Sequence, residues 1–386
     1  MSKKITTKKN TIIFDIDSSS IGAALVQYGY TVNKKNISTI ELCSVRKNIT
    51  GGNKYSFEEF FKRTARTLDE VAQEIYLQSL VPLDEIVINV AVPWSSSQKR
   101  NLVYSSKKAF LFTHELSTKL IHQDSELSFD INIDYAGHDV ELIQRKNLEV
   151  YGNGYPMRNP IGKEVSDIEI HFLTSVMSSG TKNIFTDIIE RVFHRTPRFI
   201  SNTFVQYQEL RVLLPHVDNA VIVDISGEVT EMIVVKEDNL LHIGSIPVGT
   251  QGIIRHLSDE LHISPAKART LVDLYKNTGL GVESKETQNA IKKSFRYWFR
   301  EFYTLLDDYS KQGLLPHVLI VNAHNEVRSW FEELLMAEDS LREHMHTQGR
   351  IELLHIPIRS SDANTTHAFL DPALGIIAAY IEQETK

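Results

Sequence analysis

Two strand–turn–strand segments that resemble each other constrain the fold of this sequence most. The first, Ile12–Ser20, reads Ile-Ile-Phe-Asp-Ile-Asp-Ser-Ser-Ser, and the second, Val221–Glu228, reads Val-Ile-Val-Asp-Ile-Ser-Gly-Glu. In each segment an apolar strand ends in Asp-Ile and enters a tight turn of small polar residues. A repeated unit of this kind predicts that the chain contains two related α/β halves.

The chemistry of these segments points to a phosphate cleft. A carboxylate at the end of a buried strand is costly to desolvate without a partner, and a short Ser/Gly turn presents backbone N–H groups that can hold phosphate oxygens. If the two units face each other, Asp15 and Asp224 orient Mg²⁺ and its waters, while the backbones of Ser18–Ser20 and Gly227–Val229 hold the phosphates. The alternative is that each aspartate accepts hydrogen bonds only within its own turn.

The pattern of apolar and polar residues changes at two points along the chain. Before Pro93 the apolar pattern predicts three strands, a helix capped by Ser56 and a further strand. Short alternating stretches with Gly/Asn/Pro-rich turns then predict an inserted α+β subdomain with a helix near Gly180–Phe193. The α/β pattern returns after Asn219. The predicted parts are a first lobe at 1–92, the insertion at 93–200, a return to the first lobe at 201–218 and a second lobe at 219–386.

Composition excludes several function classes. The formal net charge of −7 gives no general attraction to nucleic acid, so we expect no nucleic-acid partner. The single cysteine excludes an intrachain disulfide and a multi-cysteine metal site, and it indicates a reducing compartment. Lys3–Lys9 is not followed by the uninterrupted apolar run of a signal peptide, and no apolar stretch approaches the about 20 residues that cross a bilayer. We therefore expect a cytoplasmic protein.

Five segments, in order, resemble the motifs of the actin-like ATPase superfamily, within the group that contains the cell-division protein FtsA and the type IV pilus assembly protein PilM. Asp15–Gly22 is similar to the first phosphate motif and Asp224–Glu231 to the second. Ile246–Gly252 is similar to the glycine-containing segment that follows. Val318–Asn325 occupies the adenosine-motif position, and Asp371–Gly375 is similar to the start of the family's final helix.

The resemblance implies an α/β fold of the actin-like type, with duplicated ribonuclease-H-like lobes and an inserted α+β subdomain of the SHS2 or 1C type. It also implies a last helix that packs back on the first lobe, and ATP and Mg²⁺ as cofactors. The implied cofactor-binding residues are Asp15, Asp17, Ser18, Ser19, Ser20, Asp224, Ser226, Gly227, Glu228, Thr230, Gly249, Asn322, Ala323 and His324. The implied metal ligands are Asp15 and Asp224. The implied catalytic residues are Asp15, Asp224 and Gln206, with Gln208 as a second candidate for positioning water.

Six positions, in four parts of the motifs, depart from the family pattern. Asp17 replaces a phosphate-facing glycine and brings a negative charge that opposes a triphosphate. Gly22 stands where PilM-like proteins often carry a phosphate-binding lysine, and Ser226 replaces a glycine at which backbone approaches phosphate. Asn322–His324 replaces three glycines, which predicts a filled adenine pocket; the alternative is that His324 stacks on the base. These departures predict that ATP binding and hydrolysis are weakened or lost.

We therefore expect a cytoplasmic actin-fold adaptor of a membrane-associated assembly, with a role like that of PilM in type IV pilus assembly. The implied partner is a cytoplasmic peptide of an inner-membrane protein, held by the lobe with the insertion. The chain would then reach the inner face of the membrane only through that partner, with self-association left open. One alternative is an FtsA-like protein that tethers a septal filament, which Ile376–Lys386 disfavours because it has no basic amphipathic tail. The other alternative is an active ATPase, or a kinase of the same fold.

Overall fold

The computed structural model describes residues 7–30, 36–49, 56–127, 139–277, 284–337, 340–346, 350–354 and 369–384. The chain divides into two compact units, one made of Met1–Trp94 with Asn183–Lys386 and the other of Ser95–Lys182. The smaller unit is shorter than the predicted insertion at 93–200.

The secondary structure alternates strands and helices along most of the chain. The strands are β1 (Thr7–Ile16), β2 (Ser20–Tyr30), β3 (Asn36–Asn48), β4 (Glu85–Val90), β5 (Ser96–Leu111), β6 (Val140–Gly152), β7 (Tyr155–Pro156), β8 (Glu164–Ser178), β9 (Arg198–Ser201), β10 (Ala220–Ile225), β11 (Thr230–Lys236), β12 (Asn239–Ile246), β13 (Val318–Ala323) and β14 (Glu352–Leu354). The helices are α1 (Phe57–Gln78), α2 (His114–Leu127), α3 (Ser179–Phe193), α4 (Asn202–Leu213), α5 (Thr250–Leu261), α6 (Pro265–Asn277), α7 (Lys285–Ser310), α8 (Asn325–Ala337), α9 (Leu341–His344) and α10 (Pro372–Glu384).

Two sheets of the larger unit repeat one topology. The first has the order β3-β2-β1-β4-β9 and the second the order β12-β11-β10-β13-β14. In both sheets the three strands that come first in the chain are antiparallel neighbours, and the remaining two add in parallel. We call the part built on the first sheet the first lobe and the part built on the second sheet the second lobe. The predicted duplication is therefore present as two sheets of identical strand order and direction.

The central strands form because their sequences are continuous apolar runs. Strand β1 is buried from Thr11 to Ile16, and β10 is buried throughout except at Asp224, which is partly buried. Strands buried on both faces lose the alternating polar pattern of a half-exposed sheet. Helix α1 covers the first sheet with a buried stripe that includes Phe60, Leu68 and Ile75, and the Ser56 side chain caps it by accepting from the backbone of Glu59.

The second lobe is closed by a long aromatic helix. Helix α7 buries Phe295, Trp298 and Phe302 along one face, and the Trp298 and Phe302 rings stack at 4.7 Å. The indole of Trp298 also donates to the hydroxyl of Thr230 at 2.9 Å, which fixes the helix to the start of β11. The aromatic stripe of α7 is thus part of the core of this lobe.

Helix α10 packs on strands β1 and β2 and on helix α4. The hydroxyl of Tyr28 in β2 donates to the carbonyl of Ala378 at 3.1 Å, and Thr39 in β3 donates to Glu382 at 2.9 Å. The last helix therefore lies against the first lobe, and its N-terminus reaches the region between the lobes. Within the described part of the chain, no helix is both long and apolar enough to span a bilayer.

The smaller unit is an α+β module. Its four-stranded sheet has the order β5-β8-β6-β7, so β5 is an edge strand. Strand β8 is the central strand, and Ile168, Ile170 and Phe172 on it form a core with Phe112 and Leu120. Strand β9 does not belong to this sheet but pairs in parallel with β4 of the first lobe. That pairing places the last residues of the predicted insertion in the first lobe.

Candidate functional site

Each lobe carries the same aspartate–asparagine pair at the carboxyl end of its central strands. Asp15 of β1 is in register with Asn89 of β4, and Asp224 of β10 is in register with Asn322 of β13. The side-chain amide of Asn89 donates to Asp15 at 3.0 Å, and that of Asn322 donates to Asp224 at 2.9 Å. The repeat therefore extends from the strand pattern to the hydrogen bonds at the strand ends.

One asparagine joins the two pairs. The side chain of Asn202, the first residue of α4, donates to Asp224 at 2.9 Å and accepts from Asn89 at 3.1 Å. The two aspartates therefore lie on the two sides of one cleft between the lobes, connected through Asn89 and Asn202.

The turn of the first lobe is closed by Asp17. One carboxylate oxygen of Asp17 accepts from the backbone N–H of Ser19, from the Ser19 hydroxyl at 2.8 Å and from the backbone N–H of Ser20 at 2.8 Å. The other oxygen lies 2.9 Å from Nε2 of His324. His324 follows β13 of the second lobe, so this contact crosses between the lobes.

Arg46 of β3 supplies a positive charge next to the first turn, and Arg328 of α8 also lines the cavity beside it. Its guanidinium donates to Asp15 at 2.8 Å, to the hydroxyl of Ser20 at 2.8 Å and to Asp371 at 2.5 Å. Arg46 is the register partner of Gly22 on β2, and a Cβ at Gly22 would lie 2.5 Å from the guanidinium. The missing side chain at Gly22 therefore makes room for Arg46.

The two turns contact each other directly. The hydroxyls of Ser18 and Ser226 are 2.5 Å apart, and the backbone N–H of Glu228 donates to the Ser18 hydroxyl at 2.8 Å. A Cβ at Gly227 would lie 2.7 Å from the carbonyl oxygen of Ser18 and 2.9 Å from Cα of Ser19. A glycine at position 227 is thus required by the first lobe's backbone.

The start of α5 completes the second turn. The backbone N–H of Thr250 donates to the carbonyl of Ser226 at 3.0 Å, and that of Gln251 donates to the carbonyl of Gly227 at 2.8 Å. Gly249 precedes them, and a Cβ there would lie 2.5 Å from the Gly227 carbonyl oxygen. The helix N-terminus is therefore bonded to the turn of its own lobe.

A cavity of about 260 Å³ lies beside these residues. Its lining includes Asp15, Asp17 and Arg46 of the first lobe, Asp224 of the second lobe, Gln206 of α4 and the start of α10. Gln206 is 1% exposed. Its amide is close enough to Asp224 to favour the charged carboxylate, but neither amide atom makes a hydrogen bond of normal geometry to a described residue.

The pKa values of the ionisable groups are shifted in different ways in the two lobes. Burial alone would raise the pKa of Asp17, but its hydrogen bond with His324, together with the charges of His324 and Arg46, lowers that pKa below its ordinary value. Burial alone would lower the pKa of His324, but the hydrogen bond and charge of Asp17 raise it. Burial raises the pKa of Asp15, and the charge of Arg46 opposes the rise.

The carboxyls of the second lobe titrate near neutral pH. Burial, together with the nearby charges of Asp17 and Asp15, raises the pKa of Asp224 to about 7. Burial and the charge of Asp224 raise the pKa of Glu231, the neighbour of Asp224 on β11, to about 8. Glu231 is 4% exposed and accepts from the hydroxyl of Thr203 at 2.8 Å.

The sequence-predicted residues are brought to this one region, although their roles remain predictions. The predicted cofactor residues that line the cavity are Asp15, Asp17, Asp224, Ser226, Asn322, Ala323 and His324. Ser18, Gly227 and Glu228 lie in the contact between the turns, and Thr230 donates to the Val248 carbonyl at 2.8 Å. Gln206 lines the cavity, whereas Gln208 is absent from its lining.

Four residues of the site escaped the sequence reasoning: Arg46, Asn89, Asn202 and Asp371. The sequence places Asp371 only at the start of the last helix, and there its carboxylate accepts from the backbone N–H of Ala373 at 3.0 Å. A signal for Asn89 was available, because its place on β4 matches that of Asn322 on β13. It could have been found by aligning the fourth strands of the two lobes.

No protein-family model matches the sequence, and no curated protein matches it. Solved structures do match. A chain of the PilM-PilN type IV pilus biogenesis complex is similar over 97% of this chain and 98% of that chain, with a TM-score of 0.60 and 11% sequence identity. The chain has an actin-like, PilM-like fold. Weaker similarities include the ethanolamine utilization protein EutJ from Carboxydothermus hydrogenoformans (98% of this chain, 91% of that chain, 9% identity, TM-score 0.43) and the ROK hexokinase from Thermus thermophilus (98% and 100%, 12%, 0.40).

The actin-like fold implies a nucleotide and Mg²⁺, and the residues present do not fit a triphosphate in this arrangement. The five turn amides that would face phosphate already have acceptors within the chain: those of Ser19, Ser20, Glu228, Thr250 and Gln251. The cavity of about 260 Å³ is below the roughly 300–1,000 Å³ of usual small-molecule sites. Among the residues that the structure describes, no group of three or more His, Cys, Asp or Glu side chains is arranged to hold a metal ion. The amides predicted to hold phosphate are thus already bonded to acceptors within the chain.

Proposed function

We propose that this chain is an actin-fold adaptor that holds a membrane protein in an assembly of the type IV pilus kind, without using a nucleotide. The observation that carries the proposal is the similarity to a chain of the PilM-PilN complex over nearly the full length of both chains. The internal bonding of the inter-lobe cleft supports a role that does not depend on nucleotide turnover.

We further propose that the partner is a short cytoplasmic segment of a membrane protein and that the smaller unit binds it. Strand β5 is the edge of that unit's sheet, so its outer backbone groups can pair with an extended peptide. Val103 and Leu111 on β5 are 67% and 56% exposed and offer apolar contacts next to that edge. An extended peptide with alternating apolar residues fits such a strand.

The experiment is a binding titration of the full chain with synthetic peptides. The peptides would cover the cytoplasmic segments of single-span membrane proteins encoded beside this chain's gene. We expect one of them to bind, with the same affinity in the presence and absence of ATP and Mg²⁺. The Val103→Glu variant should weaken that binding by about tenfold or more, equivalent to about 1.4 kcal/mol.

A matched control variant and the outcomes below separate this proposal from its alternatives. Leu80→Glu changes a leucine that is 91% exposed in the other unit, and it should leave peptide binding unchanged. If Val103→Glu and Leu80→Glu bind the peptide equally well, the peptide site does not lie at β5. If no peptide binds, and the wild type hydrolyses ATP while Asp224→Ala does not, the protein is an ATPase and not an adaptor. Septal genes beside this gene would instead favour the division role.

A further inference from the structure

We propose that Asp17 is a built-in anion that takes the place of a bound phosphate group and joins the two lobes through His324. The proposal does not depend on the identity of the partner, because it concerns only how the cleft between the lobes is held.

The first step concerns the turn after β1. Successive backbone N–H groups in a tight turn form a concave site for an anion. In this chain the backbone N–H groups of Ser19 and Ser20 both donate to one oxygen of Asp17, and the Ser19 hydroxyl adds a third bond at 2.8 Å. The carboxylate of Asp17 therefore occupies the position in which these donors would hold an oxygen of a ligand.

The second step concerns the counter-charge. An anion held in a partly closed site needs a nearby cation, and the side chain of Arg46 is only 17% exposed. Its guanidinium lies 4.0 Å from Asp17, and it bonds directly to Asp15 and Asp371. The chain thus supplies both an anion and a cation next to this turn, and the guanidinium of Arg46 is already paired with the chain's own carboxylates.

The third step concerns the contact between the lobes. A phosphate between two facing turns would be bonded from both sides. Here Nε2 of His324, from the second lobe, lies 2.9 Å from Asp17 and 3.1 Å from the hydroxyl of Ser20. The raised pKa of His324 agrees with a charged imidazolium facing a carboxylate. We call this contact the Asp17–His324 bridge, and it makes closure of the cleft a property of the chain alone.

The test measures binding of inorganic phosphate to the full chain by calorimetry. Asp17→Gly removes the internal anion and frees the amides of Ser19 and Ser20, so we expect phosphate to bind about tenfold tighter than to the wild type, or more. Asp17→Asn keeps an acceptor oxygen on these amides and should show a smaller gain. Asp308→Asn removes one negative charge from an exposed position of α7 and should show none.

A third variant separates the two parts of the proposal. His324→Ala removes the bridge but leaves Asp17 on its amides, so it should not gain phosphate binding. It should instead speed hydrogen exchange of the Glu228 amide, whose acceptor Ser18 belongs to the opposite lobe. Unchanged exchange at Glu228 would overturn the role of the bridge.

A folded Asp17→Gly protein that binds phosphate no more tightly than the wild type would overturn the role of Asp17. If Asp17→Gly fails to fold, hydrogen exchange on the wild type still tests whether Asp17 occupies the turn amides. The amides of Ser19 and Ser20 should be protected without a ligand and unaffected by added phosphate; fast exchange that phosphate slows would contradict the proposal.

Discussion

The turns that follow β1 and β10 occupy equivalent places in the two lobes, but the carboxyl groups around them are stabilised in different ways. In the first lobe, Asp15 and Asp17 are balanced by Arg46 and His324. In the second lobe, Asp224 is bonded by two amides and Glu231 by a hydroxyl, and neither carboxyl forms an ion pair with a described residue. Burial then raises their pKa values to about 7 and about 8. A buried carboxyl is tolerated either beside a cation or in its neutral form, and the two lobes illustrate one solution each.

The difference also assigns separate tasks to the two turns. The first turn holds an ionic cluster that is complete within its own lobe except for His324. The second turn contributes backbone, because Gly227 lies against Ser18 and Ser19. Duplication therefore preserved the strand order and the aspartate–asparagine pair, while the residues around them diverged.

The largest expected effect comes from removing the cation of the first lobe. Arg46→Ala leaves the carboxylates of Asp15, Asp17 and Asp371 without their shared partner, and breaking a buried ion pair in this way costs about 3–5 kcal/mol. We expect a loss of that size in the free energy of unfolding, measured by urea denaturation. Arg66→Ala breaks an exposed pair on α1, in which the arginine side chain is 83% exposed, and should cost less than about 1 kcal/mol. Equal losses in the two variants would contradict the ionic account of the first turn.

A smaller effect is expected from a methyl group on the second turn. Gly227→Ala places a Cβ against the Ser18 carbonyl and the Ser19 Cα, and crowding of this kind costs about 1–3 kcal/mol. Thermal unfolding should therefore occur at a lower temperature. In the control Gly180→Ala, the added Cβ would lie 3.8 Å from its nearest neighbour, and α3 should gain slightly in stability. A Gly227→Ala protein as stable as the wild type would show that the turns are not in contact.

The last effect is a change in the pH dependence of stability, which builds up gradually over several pH units. Because folding raises the pKa of Glu231 from 4.5 to about 8, the folded state binds more protons than the unfolded state within that window, and stability falls as pH rises through it. Glu231→Gln removes this titration while keeping an acceptor for Thr203. Relative to the wild type, the variant should gain up to about 1.4 kcal/mol in the free energy of unfolding per pH unit between pH 5 and pH 8. Parallel pH profiles for the two proteins would indicate that Glu231 has an ordinary pKa.

The fold was accessible from the sequence because its signals are local. Apolar runs such as Val221–Ile225, the Ser/Gly turns and the cap at Ser56 each lie within a few residues, and they predicted the hairpins and α1. The site was accessible only in part. Arg46 lies on β3, Asn89 on β4 and Asn202 at the start of α4. Their side chains meet at the site only because of strand register and the packing of the lobes, which no local sequence signal reveals. The charge of Asp17 was recognised, but its partner His324 comes from the other lobe, more than half the chain away.

The most direct measurement of the central claim is a crystal structure of the wild type grown with millimolar ATP and Mg²⁺. We predict that the Asp17 carboxylate will lie on the backbone amides of Ser19 and Ser20 with His324 against it, and that no nucleotide will lie between the turns. A nucleotide whose phosphates take those amides, with Asp17 displaced, would contradict the account.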